Sequence, residues 1–187
     1  MTCNKCSLNE AQPPLFEKMS SSDVMWIGLS AKLASEPDEA YPLCEKTRTG
    51  KLICQIEEQL GDCSFYKTNL VKCAPLDQKC KLRYPTSKEM NTCFFHIPKE
   101  INVVKPKLVF LLGALVAKFV LNKFEIDFER IESDFRYISF NYYDTIFVPI
   151  HHPSYITIYK RRHIEHYISS ITSIINLDHK IRTRAIR

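Results

Sequence analysis

The chain has 187 residues, of which 45% are hydrophobic and 25% charged, and this composition is that of an ordinary globular protein. Its 4 glycines exclude a collagen-like chain, and no apolar run approaches the roughly 20 residues needed to cross a bilayer. Residues 152–187 hold seven basic and two acidic side chains, so this segment carries the whole net charge of +5. Such a basic end indicates either a polyanionic partner, nucleic acid first, or a solvated tail.

The N-terminus is polar and predicts no signal peptide, so we expect a cytoplasmic protein whose cysteines stay reduced. Eight cysteines are many for this length, which favours metal or cluster binding over disulfides. Cys3 and Cys6 form the one close pair, and a metal site would need ligands from further along. We expect one domain over residues 1–187, with a docked N-terminal segment at 1–22, a basic tail at 177–187, no membrane contact and a monomeric state.

Apolar runs and turn residues predict strands that alternate with helices. The predicted strands cover residues 24–28, 65–71, 107–113 and 145–150, and the alternation in 136–142 favours an edge strand. The predicted helices cover residues 51–60, 86–97, 114–123 and the isoleucine-striped segment 164–175. Pro98 is expected to kink or end the second of these helices. The polar segment 31–48 is predicted to be a long loop, a feature typical of functional regions.

This order of elements predicts an α/β protein, a three-layer α/β/α sandwich with a central, mainly parallel sheet of about four strands. Ligands bind such sheets at the carboxyl ends of the strands. We therefore expect the functional site at four strand ends, which are Gly28 to Ser30, Asn69 to Cys73, Gly113 with Ala114, and His151 to Tyr155.

Six blocks along the chain resemble the uracil-DNA glycosylase superfamily, and they occur in the family's order. The blocks are WIGLS, PL…TGKL, KTNLVKCAP, RYPTSKEMNTC, PKLVFLLGA and VPIHHPSY. The resemblance is closest to the family-4 type, which carries an iron–sulfur cluster. It implies a monofunctional DNA glycosylase, which hydrolyses the bond between the sugar and a base flipped out of DNA.

The resemblance also implies ligands for a 4Fe-4S cluster. The cysteines at the family's four positions are Cys3, Cys6, Cys73 and Cys93. Thiolates suit zinc as well, so zinc is the alternative. Cys80 lies in a loop that is slightly longer than the family's and could compete as a ligand. The remaining cysteines are expected to be small buried hydrophobes: Cys44, Cys54 and Cys63.

Two polar residues match the family's active site. His152, in His-Pro-Ser, stands where the family has its catalytic histidine, which can donate a hydrogen bond to the base oxygen that gains negative charge. Asn69 stands where the family reads the pairing edge of the flipped base. Its amide could pair with uracil or, turned over, with a cytosine derivative. The neighbouring His151 is expected to be a scaffold or solvent residue.

The chain departs from family 4 directly after the first strand. The family has a carboxylate there, in GEAPG, and this chain has Gly28, Leu29 and Ser30, which we expect to line the base pocket. Loop carboxylates could replace the missing one. Glu36 is our candidate, with Asp38 and Glu39 as the alternatives, and all three could equally be solvent-facing.

A second departure concerns the wall on which the base stacks. The family's phenylalanine is replaced by Leu43, and Tyr41 is the nearby aromatic side chain that could substitute for it. The altered pocket favours a bulky modified pyrimidine, such as the glucosylated hydroxymethylcytosine excised by an antiphage branch of the superfamily. The alternatives are uracil removal in base-excision repair and a DNA- or base-binding module without turnover.

The expected partner is DNA. Ser154 stands where the family contacts a phosphate, and Tyr155 and Ile156 follow at the loop where superfamily members insert a wedge into the duplex. A basic run then opens the isoleucine-striped helix, where cations oppose the helix dipole and are better explained by phosphate binding. The run consists of Lys160, Arg161 and Arg162.

Overall fold

Five strands form the centre of the computed structural model, which describes residues 3–185 and the side chains of residues 3–177. They are β1 (Val24–Ser30), β2 (Phe65–Val71), β3 (Leu108–Leu112), β4 (Phe140–Tyr142) and β5 (Thr145–Ile150). Their order in the sheet is β2-β1-β3-β5-β4, with β4 antiparallel to β5 and the other neighbours parallel. The predicted α/β sheet is confirmed, and β4 is its fifth, edge strand.

Helices cover both faces of the sheet. They are α1 (Arg48–Glu57), α2 (Ser87–Phe94), α3 (His96–Val104), α4 (Ala114–Lys123), α5 (Pro153–Tyr159) and α6 (Ile164–Ala185). Successive side chains of a strand point to opposite faces, so Met25 and Ile27 pack under α2, α3 and α4. Val24 and Trp26 pack under α1, α5 and α6 on the other face. The three-layer α/β/α prediction is thereby confirmed.

Local sequence explains how α2 begins and why it is short. The Thr86 hydroxyl accepts a hydrogen bond from the Glu89 amide, and the Glu89 carboxylate accepts one from the Thr86 amide. Arg83 also binds the Glu89 carboxylate, with 2.6 Å between Nη2 and Oε1. The segment 86–97 is not one helix, since α2 ends at Phe94 and α3 starts at His96. Pro98 does not end a helix as expected, because it lies in the first turn of α3, where a proline removes no helical hydrogen bond.

The structure corrects several boundaries. Helix α1 starts at Arg48 rather than at residue 51, since the Thr47 side chain caps it by accepting from the Gly50 amide. Helix α5 was not predicted, because it has only seven residues. It contains Ile156, which is fully buried, so the expectation that Ile156 forms a wedge in a loop is wrong.

Helix α6 extends into the C-terminal segment. Residues 177–185, predicted as part of a basic tail, continue α6, while residues 186–187 and the side chains after Leu177 lie outside the described part of the chain. Among the helices that the structure describes, none combines the length and the apolar character needed to cross a membrane.

A buried ion pair joins β2 to α3. The Lys72 ammonium lies 2.7 Å from a Glu100 carboxylate oxygen and 2.6 Å from the Thr68 hydroxyl, and both charged side chains are almost completely buried. Burial lowers the pKa of Lys72, and the Glu100 carboxylate opposes that shift. Removing one partner of such a pair leaves an uncompensated charge in the protein interior.

We therefore expect Lys72→Met to lower the free energy of unfolding by about 3–5 kcal/mol, measured by urea denaturation. Adding Glu100→Leu should recover much of this loss, since the double variant has no buried charge left. The control is Arg136→Met, which removes an exposed pair with Asp134 and should leave stability nearly unchanged. Wild-type stability in Lys72→Met would contradict the expectation.

Candidate active site

A cavity of about 700 Å³ opens at the carboxyl edge of the parallel strands. Each of these strands contributes a residue near its carboxyl end, namely Gly28 in β1, Asn69 in β2, Gly113 after β3 and His152 after β5. The loop after β1 and the start of α4 close the sides. The structure thus brings together the four strand ends that the sequence indicated.

His152 is held as a neutral hydrogen-bond donor. It is the N-cap of α5, and its Nδ1 accepts a hydrogen bond from the Ser154 amide at 3.2 Å. Burial lowers the pKa of His152 to about 4, and the positive charge of Lys32 adds to the shift. A neutral imidazole whose Nδ1 accepts must carry its proton on Nε2, which leaves an N–H donor for a ligand.

Two glycines make room for the polar side chains of the cavity. A Cβ atom on Gly113 would lie 3.3 Å from the Cβ of His152, and the φ of +95° at Gly113 already disfavours other residues. A Cβ atom on Gly28 would lie 2.4 Å from Oδ1 of Asn69 and 2.9 Å from Cδ2 of Leu43. Any larger residue at either position would displace a wall of the cavity.

Asn69 presents an unused acceptor to this cavity. The residue is 2% exposed, and its Oδ1 has no hydrogen-bond partner among the described residues. Because an unpaired buried acceptor costs free energy, a bound ligand with an N–H group would stabilise this side chain.

The end of β1 and the loop after it supply the walls where the chain departs from family 4. Leu29, Tyr41 and Leu43 all line the cavity, and Leu43 has a positive φ of 53°. Of the three loop carboxylates considered, Glu39 lines the cavity. Glu36 is exposed outside it.

The N-terminal segment fixes this loop through a residue that the sequence did not reveal. The Gln12 side chain is buried and donates to the Lys32 carbonyl at 3.0 Å, while its Oε1 accepts from the Ala34 amide at 2.7 Å. Leu15 lines the cavity, and its amide donates to the Lys72 carbonyl at 2.8 Å. Gln12 was missed because its partners lie 20 and 22 residues away in a loop without periodicity.

The four cysteines of the predicted cluster site lie near one another. Burial, together with the neighbouring thiols of Cys93, Cys6 and Cys3, raises the pKa of Cys73 to about 12. The Cys93 sulfur accepts a hydrogen bond from the Lys72 amide at 3.3 Å. Four thiols, two of them buried, are a donor set that fits a thiolate-bound centre.

The thiols are not arranged as a site for a single metal ion, and Cys80 lies apart from them. Within the described part of the chain, no three histidine, cysteine or acidic side chains converge closely enough to hold a single metal ion. Cys80 is exposed and has a positive φ, and it does not contribute to the charge environment of Cys73.

The residues expected to contact DNA surround the mouth of the cavity. Ser154 lines it, and its hydroxyl lies 2.8 Å from that of Thr49, a buried residue that the sequence did not single out. Tyr155 lies on α5 at the mouth and is 39% exposed. The basic run lies in the turn between α5 and α6, rather than in α6 itself, and all of its residues are exposed: Lys160, Arg161 and Arg162.

Two proteins of known activity are similar to this chain in sequence. The type-4 uracil-DNA glycosylase of Archaeoglobus fulgidus is 24% identical over 135 residues, which are 70% of this chain and 64% of that protein. The type-4 uracil-DNA glycosylase of Sulfurisphaera tokodaii is 29% identical over 138 residues, which are 70% of this chain and 59% of that protein. The matched part of the chain thus spans less than two thirds of the length of either relative.

The fold has a counterpart among solved structures. The crystal structure of SMUG2 from Pedobacter heparinus superposes with a TM-score of 0.55 over 86% of this chain and 77% of that one, at 16% identity. At this identity the likeness concerns the fold alone. The sequence model of the uracil DNA glycosylase superfamily matches residues 11–173, which are most of the chain. The chain therefore belongs to the uracil DNA glycosylase superfamily.

Proposed function

We propose that this protein is a DNA glycosylase that hydrolyses the N-glycosidic bond of a pyrimidine flipped into the 700 Å³ cavity. The observation that carries the proposal is the neutral, half-buried His152 in the same cavity as the unpaired acceptor of Asn69. One group can stabilise the departing base while the other holds its pairing edge.

His152 acts on the charge that develops as the bond breaks. The departing pyrimidine becomes an anion, and part of its charge lies on the O2 oxygen. The Nε2–H of His152 donates a hydrogen bond to that oxygen, and the buried site strengthens the interaction. Glu39 is the loop carboxylate in the cavity lining and would orient the attacking water, whereas Glu36 lies outside the lining.

Asn69 reads the base through its amide. Oδ1 accepts from the N3–H of uracil or from the exocyclic amino group of a cytosine derivative, and the amide nitrogen donates to the neighbouring acceptor in each case. Asn69 therefore selects pyrimidines without choosing between the two.

We expect His152→Ala to lower the excision rate by about 100- to 1,000-fold, because the hydrogen bond to the departing base is removed. The measurement is the single-turnover rate of abasic-site formation. His152→Asn separates catalysis from folding, since asparagine can still cap α5 but is too short to reach the base. His151→Ala is the neighbouring control and should lose much less activity. Wild-type rates in His152→Ala would exclude the proposed role.

The pH dependence of excision tests the neutral state of His152. With a folded pKa of about 4, the ring stays neutral down to about pH 5, so kcat/KM should show its acidic limb near pH 4. The unfolded chain has the ordinary histidine pKa of about 6.5, so it binds the proton first and stability should fall as the pH drops from 6.5 toward 4. An acidic limb centred at 6.5 would show that His152 is not held in this way.

A bulky modified pyrimidine is the favoured substrate within this function. The cavity is in the range that holds a drug-sized ligand. Leu29 stands where family 4 has a carboxylate, and Leu43 offers no flat wall where family 4 has a phenylalanine. These features support a base that carries a sugar, such as glucosylated hydroxymethylcytosine in phage DNA, with antiphage defence as the role. Uracil removal in repair is the second candidate, supported by the type-4 relatives.

Base release identifies the substrate. Purified protein is incubated with uracil-containing, hydroxymethylated and glucosylated DNA, and the released base is identified by mass spectrometry. We expect faster release of the glucosylated base than of uracil. Release of uracil alone would favour the repair function. DNA binding without any abasic sites would favour a non-catalytic binding module and overturn the glycosylase proposal.

For the thiol group we propose a 4Fe-4S cluster on Cys3, Cys6, Cys73 and Cys93, with zinc as the alternative. The donor set and the resemblance to the iron–sulfur type support the cluster. A centre bound there would attach the N-terminal segment, including Gln12, to the domain, and its positive charge would offset the burial that disfavours the thiolates.

We expect Cys73→Ser to lose bound metal and to lower the thermal unfolding temperature. Metal content and visible absorbance of anaerobically purified protein measure the first effect and distinguish iron–sulfur from zinc. The matched control is Cys80→Ser, which changes an exposed cysteine outside the group and should retain the centre. Full metal content in Cys73→Ser would remove Cys73 from the site.

A further inference from the structure

The mouth of the cavity is unusually rich in exposed apolar side chains. In the described part of the chain, most of the large hydrophobic residues that reach solvent lie around this opening. Tyr84 is 77% exposed and Tyr159 is 72% exposed, and Leu115 and Ile158 are also exposed there. A patch of this kind, placed around a cavity, marks a binding surface.

Three of the rings at this end of the molecule form a continuous row along α5. His151 stacks on Tyr155 with 5.8 Å between ring centroids and 15° between ring planes. Tyr155 and Tyr159 are four residues apart on one helix face, with centroids 5.5 Å apart. Exposure increases along the row, from the half-buried His151 through Tyr155 to Tyr159. The row therefore leads outward from the strand end that carries His152.

A basic turn continues directly from the last ring of the row. Lys160, Arg161 and Arg162 are all exposed, and none of them takes part in an ion pair among the described residues. Their charges are available to phosphates beside the exposed Tyr159. Aromatic rings followed by free cations are the combination by which proteins hold single-stranded nucleic acid.

We propose that the site takes its target base from single-stranded DNA, whose neighbouring bases stack on Tyr155 and Tyr159 while the basic turn binds phosphates. This inference rests on the proposed function for the identity of the flipped base. In a duplex, a base flipped out frees only the faces of the two neighbouring bases beside the gap, and all other bases stay stacked and paired, so a row of rings leading outward finds no further free face. In a single strand the faces are free, and each ring contributes to binding. The row thus discriminates between the two forms of DNA.

Binding to undamaged DNA tests the proposal without requiring turnover. The probes are a fluorescein-labelled single strand of mixed sequence and the same strand in a duplex, compared by anisotropy at one salt concentration. We expect the wild-type protein to bind the single strand at least tenfold more tightly. Tyr155→Ala and Tyr159→Ala should each weaken single-strand binding by about tenfold and leave duplex binding nearly unchanged.

Two control variants make the result specific. Tyr159→Phe keeps the ring and should retain the preference for the single strand. Tyr143→Ala removes a tyrosine that is 91% exposed in the turn between β4 and β5, away from the cavity, and should change neither affinity. Equal or tighter duplex binding by the wild type would overturn the proposal, as would equal losses on both probes in the tyrosine variants.

The role of the basic turn is tested by the salt dependence of binding. Replacing Lys160, Arg161 and Arg162 by alanine should shallow the log–log salt dependence of single-strand binding by about 0.7 for each phosphate that the protein no longer neutralises. Arg130→Ala removes an exposed arginine that is paired with Glu132 and lies outside the cavity lining, and it should leave the slope unchanged. An unchanged slope in the triple variant would overturn the assignment of the turn.

The failure of this inference differs from the failure of the proposed function. If the protein prefers single strands but releases no base from any substrate, the glycosylase proposal fails and the binding inference stands. If it releases a base equally well from both forms of DNA and binds both equally, the glycosylase proposal stands and the single-strand inference fails.

Discussion

The end of β2 is fixed from three directions at Lys72, and most of the site depends on this arrangement. The Lys72 side chain pairs with Glu100 in α3, its amide donates to the sulfur of Cys93 in α2, and its carbonyl accepts from Leu15 in the N-terminal segment. Asn69 lies three residues before Lys72 and Cys73 directly after it. The charge pair is costly to bury, but it leaves the end of β2 little freedom to shift. One short segment thus positions both Asn69 in the cavity and Cys73 in the thiol group.

The chemistry of the cavity follows from burial more than from charge. His152 is neutral because the surrounding protein excludes water, and its tautomer is set by a backbone amide in the first turn of α5. Gly113 has a positive φ and allows His152 to approach the start of α4, where a Cβ atom would lie only 3.3 Å from the Cβ of His152. A donor held in this way needs no reorganisation when negative charge appears on a departing base.

The N-terminal segment forms part of both sites. It carries two of the four clustered cysteines, and through Gln12 and Leu15 it holds the loop and one wall of the cavity. A centre bound at the thiols would therefore stabilise the cavity indirectly, by keeping this segment in place. The link needs no direct contact between a metal centre and the base.

The sequence by itself determined the elements and their order. Apolar runs and the turn residues beside them defined the strands at 65–71 and 145–150, and Thr86 with Glu89 defined the start of α2, because these signals depend on residues a few positions apart. The order of the strands then placed Asn69 and His152 at one edge of a parallel sheet.

Only the tertiary structure decided how the side chains meet. Glu36 and Glu39 are equivalent in the sequence, yet the short turn between them leaves one outside the cavity and places the other in its lining. Tyr155 and Ile156 are adjacent, and the unpredicted α5 exposes the first and buries the second. The protonation of His152 and the role of Gln12 depend on burial and on contacts between distant segments. No local pattern encodes such contacts, because their geometry is set by the packing of the whole chain.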